Sequence, residues 1–84
     1  MQASVEISMY PLGRDYIPEI KDFIKNLKKH REITLQVNGM STQIFGEYRD
    51  IMHILTNETE ASFVKFGKSV FVLKIVHAHL QKPS

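Results

Sequence analysis

A chain of 84 residues has room for one domain with one core. Its 43% hydrophobic and 24% charged content is that of a globular protein, and the absence of cysteine excludes a disulfide framework, a thiolate metal site and a cysteine nucleophile. The net charge of +2 is no nucleic-acid signature, because much of the basic excess (Lys21, Lys25, Lys28, Lys29 and Arg31) belongs to one helix and its end, where Glu19 and Asp22 dilute it.

Residues Ala3 to Tyr10 alternate. Ala3, Val5, Ile7 and Met9 take one face, and Ser4, Glu6, Ser8 and Tyr10 the other, as in a half-buried strand. Pro11 and Gly13 stop it. Asp15 is an expected N-cap, and Pro18 is tolerated in a first helical turn. Ile17, Ile20, Phe23, Ile24 and Leu27 then recur at three and four, which is one helix face, closed by Lys28, Lys29 and His30.

Ile33, Leu35 and Val37 alternate with Thr34, Gln36 and Asn38 in a second strand. Asn38-Gly39 predicts a type I′ hairpin turn, whose two central residues need positive φ. In the third strand Met40, Thr42 and Ile44 face the core, and Ser41, Gln43 and Phe45 face away. A second helix is expected from Glu47 to Phe66, with Tyr48, Ile51, Met52, Leu55, Phe63 and Phe66 on its apolar face; TNETEAS is its weakest stretch. Gly67 suits a left-handed C′ position. Lys68 to Ala78 holds a fourth strand, and the tail HLQKPS is expected to be frayed.

The order β-α-β-β-α-β, with one apolar face per helix, predicts an α+β, ferredoxin-like domain spanning 1–84, with its ordered core at about 3–78. Both helices cover one side of an antiparallel sheet ordered 4-1-3-2. The other side has no cover. It carries Glu6, Ser8 and Tyr10, then Ser41, Gln43 and Phe45, flanked by Thr34, Gln36 and Asn38. With Phe71, Leu73 and Ile75 inward, Val70, Val72, Lys74 and Val76 join them. This wall is neither core nor plainly solvated, so it serves an oligomer interface, a small-ligand site, or both.

Two motifs on this wall carry a resemblance. SMYPLG ends the first strand, and MSTQIFGEY runs from the third strand into the second helix. Together they resemble the YkoF-like thiamine-binding family and the related thiamine-binding proteins long grouped as a domain of unknown function. The resemblance runs over residues 4 to 77. It implies a ferredoxin-like domain that pairs through its sheets and binds thiamine or its hydroxymethylpyrimidine part without catalysis. Some members hold two such domains; with a single copy here, a homodimer or homotetramer would supply the second. Ser8, Tyr10, Ser41, Thr42 and Gln43 occupy the motif positions nearest a ligand. One departure is Phe45, where relatives often carry a charged residue. Thiamine joins a cationic thiazolium to an aminopyrimidine. Glu6 would offset the cation, Phe45 and Tyr10 would offer ring faces, and Ser8, Ser41 and Gln43 would meet the pyrimidine.

Rival chemistry is thin. Arg14 in PLGRD, at a helix N-terminus, could hold a phosphate, but no nucleophile–base pair and no phosphate-loop pattern accompanies it. An RNA module on this topology needs two or three exposed aromatics on the central strands, and Phe45 is the only such ring in the third. His77 and His79 form an HxH without a third ligand, since His30 and His53 fall on helices. No cofactor, metal, nucleic acid or membrane is expected. With no signal peptide and no apolar run near 18 residues, the expected location is the cytoplasm.

Overall fold

The computed structural model describes residues 1–12, 16–39 and 41–81, and of Tyr16 the backbone alone. The expectations for Gly13, Arg14, Asp15 and Met40, and for the part of the tail beyond Gln81, lie outside these residues. The elements are β1 (Gln2–Pro11), α1 (Tyr16–Leu27), β2 (Ile33–Val37), β3 (Thr42–Glu47), α2 (Tyr48–Phe66) and β4 (Ser69–Val76). They form one four-stranded antiparallel sheet, ordered β2-β3-β1-β4. The predicted ferredoxin-like topology is therefore the observed one. Among the described residues no helix is long and apolar enough to cross a membrane.

Alternation produces the core. Ala3, Val5 and Ile7 of β1, Ile44 of β3 and Ile33 of β2 point under the helices. Phe23 and Leu27 of α1 and Ile51, Ile54 and Leu55 of α2 close over them. Phe71 of β4 packs between Phe23 and Phe63, with ring centroids 4.8 and 5.4 Å away. One polar pair bridges the helices, Lys65 Nζ at 2.9 Å from Asp22, and the ring of His30, just past α1, lies 2.7 Å from the Glu58 carboxylate of α2.

The weak stretch of α2 stays helical. The hydroxyls of Thr56 and Thr59 donate to the carbonyls of Met52 and Leu55, at 2.8 and 2.6 Å. Glu47 is the N-cap of α2 and accepts from the N–H groups of Arg49 and Asp50. The amino terminus also donates to it at 3.2 Å. That ammonium contact first, then the Asp50 N–H, holds the Glu47 carboxyl below its ordinary range. Gly67 takes a positive φ of +85° but a ψ of −138°, outside the left-handed conformation expected, and its N–H donates to Phe63 O at 2.9 Å. At Gly46 a Cβ would meet the Glu32 carbonyl at 3.1 Å, so the close approach of β2 and β3 there favours glycine.

Several expectations are corrected. Ile17 is 53% exposed and Phe63 44%, although both lie on the predicted apolar faces; Ile54, not singled out in the sequence, is buried instead. Tyr48 is also exposed, at the first position of α2. The β2–β3 hairpin forms, but Val37 pairs with Thr42 and Asn38 N–H donates to Ser41 O at 3.1 Å. Asn38 thus stands at the start of the turn rather than at its centre, and neither it nor Gly39 has positive φ, so the type I′ expectation fails. The Asn38 side chain accounts for this: its Oδ1 accepts from the Ser41 N–H at 2.9 Å, an Asx closure that replaces the I′ geometry.

Candidate functional site

The face of the sheet away from the helices is built by cross-strand register. Ser4 lies opposite Phe45 and Val76, and Glu6 lies opposite Gln43 and Lys74. Thr34 and Gln36 extend these rows on β2, while Ser8 and Tyr10 extend β1 opposite Val72 and Val70. Exposed Tyr10, Val70 and Val72 form an apolar corner at one end of the face.

The other end is covered, contrary to expectation. After Val76 the chain turns back across the strands. The Ser4 hydroxyl donates to Ala78 O at 2.6 Å and accepts from the Leu80 N–H at 2.9 Å. The His79 ring rests 5.8 Å from that of Phe45. Residues 77–81 are therefore held against the sheet rather than frayed, and Phe45, expected on a bare wall, retains only 3% of its surface. His79 stays exposed but makes this ring contact.

Between this segment and the strands lies a cleft of about 330 Å³. Its floor is Glu6 and Gln43, its sides are Phe45 and Val76, and Leu80 and Lys74 form the rim. Lys74 Nζ lies 3.5 Å from the Glu6 carboxylate, with the lysine side chain 76% exposed. A carboxylate and an amide thus face a mainly apolar hollow, the composition of a small-molecule site.

The seven candidate residues do not converge. Glu6, Gln43 and Phe45 line this cleft. Ser8, Ser41 and Thr42 instead line a hollow of about 100 Å³ that reaches under α1, against Ile20 and Phe23. Thr42, paired with Ile7, faces the helices and is buried, so parity separates it from Glu6 and Gln43. Tyr10 lines neither hollow and is 55% exposed. Ser4 and Leu80, absent from the candidate set, do line the cleft. Ser4 shares the parity of Glu6, but a strand serine opposite bare sheet reads as solvated; nothing periodic marked Leu80. Among the described residues no cluster of three metal-ligating side chains occurs.

Comparison with known proteins agrees with this architecture. A Streptococcus pneumoniae protein superposes with a TM-score of 0.86 at 24% identity, over 95% of this chain and 90% of its own. A candidate thiamine biosynthesis/salvage protein from Thermotoga maritima gives 0.83 at 19% identity, over 93% and 85%. A domain of unknown function from Bacillus cereus gives 0.78 at 17% identity, over 100% and 83%. These likenesses establish the fold. No curated protein matches the sequence. The sequence model of the thiamine-binding protein family matches residues 5–79, nearly the whole of the described fold, and the chain belongs to that family.

Proposed function

We propose that the chain binds thiamine, or its hydroxymethylpyrimidine part, in the open-face cleft and performs no catalysis. The observation that carries this reading is the pairing of Glu6 with Gln43 in the larger of the two hollows that the candidate residues line. Family membership supports the ligand class. Glu6 faces the thiazolium charge, and the Gln43 amide supplies a donor and an acceptor to the aminopyrimidine. A hollow of about 330 Å³ lies within the range of small-molecule sites, whereas the one holding Ser8, Ser41 and Thr42 falls below it. Lys74 competes for the same carboxylate.

Calorimetric titration with thiamine and with the free pyrimidine tests this. Glu6→Gln is expected to weaken thiamine about tenfold, because a charge-assisted contact exceeds a neutral one by about 1–1.5 kcal/mol. Lys74→Ala is expected to tighten thiamine about two- to fivefold, the range of an exposed ion pair, and to leave the neutral pyrimidine unchanged. Saturation that ignores both substitutions, or none by a folded chain, refutes the proposal.

A second reading concerns assembly, and the exposed corner of Tyr10, Val70 and Val72 favours it. We propose that this corner meets a second copy of the chain, giving a homodimer or homotetramer. If no ligand binds, subunit association is the role left to this face. A monomer by sedimentation at micromolar concentration would refute it.

A further inference from the structure

The segment after β4 passes from that edge strand over Ser4 of β1 to Phe45 of β3. Val76 is opposite Ser4, and Ser4 is opposite Phe45, so reaching the Phe45 ring means passing over two strand spacings, about 10 Å. Three extended residues span that distance, and the His79 ring rests on Phe45 three residues after Val76. Midway, one hydroxyl fastens the crossing: Ser4 both donates to Ala78 O and accepts from the Leu80 N–H. Ser4, buried in the fold, is bonded on both sides to this segment. On a bare sheet the same hydroxyl would bond to water, so the sheet itself does not need the crossing.

The attachment is slight. Two neutral hydrogen bonds and one ring contact oppose the ordering entropy of five residues that belong to no strand or helix. The ordering entropy is the larger, and the apolar surface covered over Phe45 has to offset the rest, so the crossing is held weakly and can open without unfolding the sheet. What it covers is the cleft: Leu80 stands on the rim above Glu6 and Gln43.

We propose that residues 77–81 are a gate over the open-face cleft, with Ser4 as its latch. A ligand enters when the Ala78 and Leu80 bonds to Ser4 break, and it is retained when they re-form with Leu80 over it. The proposal rests on the reading that this cleft is the thiamine site.

Two ligand-free readouts test the gate. The chain has no cysteine, so Gln43→Cys places a single thiol on the cleft floor. Its reaction with a disulfide reagent is expected to be slow, and to accelerate about tenfold when Ser4→Ala removes both bonds. Truncation after Val76 should accelerate it at least as much; this second variant leaves every strand intact and guards against a misfolded Ser4→Ala. The Leu80 amide should exchange slowly with deuterium and lose that protection in Ser4→Ala. Stopped-flow binding of thiamine should then show both association and dissociation faster in the two variants, with dissociation faster by about tenfold, whereas a merely structural serine would leave association unchanged. Equal thiol reactivity in all three backgrounds, or an unprotected Leu80 amide in the unmodified chain, overturns the gate. If the unmodified chain ignores thiamine, the functional proposal falls, and thiol access and amide exchange still decide the gate.

Discussion

Phe45 offers the sharpest measurement of whether the chain covers its own open face. The perturbation is Phe45→Ala, made in the full chain and in a chain ending at Val76. With 3% of its surface exposed, the ring is as enclosed as a core phenylalanine, whose removal costs about 3–5 kcal/mol. Part of that enclosure comes from the sheet, through Ser4 and Thr34 on either side. The remainder comes from residues 77–81, through His79. Without them the ring becomes a half-covered aromatic on a sheet surface, and its removal should cost about 1–1.5 kcal/mol. The cycle should therefore show a coupling of about 1.5–4 kcal/mol between Phe45 and the terminal segment. Urea melts monitored by circular dichroism measure all four variants. In heat melts the full-chain substitution should lower the midpoint by about 12–40 °C, at about 4–8 °C per kcal/mol for a domain of this size. Repeating the melts at a tenfold higher concentration separates cover by the chain itself from cover by a second copy, since only the latter is concentration-dependent. Equal costs in the two backgrounds would refute the enclosure argued here.

Two further measurements address the helix ends. The folded-state pKa of Glu47 is depressed, so the carboxylate adds stability that is present above its ordinary range and lost as pH falls through the lowered value. Glu47→Gln should remove that acid-side loss and flatten the stability profile there; identical profiles for both chains would count against the cap. Gly67→Ala meets no neighbouring atom within 4 Å, so its cost is purely that of φ +85°, about 1–3 kcal/mol in denaturant melts. A neutral outcome would mean that α2 ends differently.

The backbone plan was legible because both periodicities were clean. Ala3, Val5 and Ile7 alternate with Ser4 and Glu6, and that parity alone put Glu6, Gln43 and Phe45 on one wall. Parity also outweighs motif position at Thr42: its neighbours in MSTQIF face outward, but its pairing with Ile7 turns it to the helices. Periodicity assigns an angle around a helix axis; it does not say how far along that axis a neighbour extends. Hence Ile17, in the first turn of α1, has the right angle and no cover, while Ile54 is enclosed. The terminal segment was illegible for a different reason. HLQK carries neither period, and its hold on the sheet depends on a single serine whose spacing from it, 74 residues to Ala78 O, no local pattern reports.

The wall at Leu80 belongs to no ladder of main-chain hydrogen bonds. Substitutions there reshape what the hollow admits without touching strand register or the helical layer. In this architecture the lining of that hollow can drift over generations while the fold around it stays put.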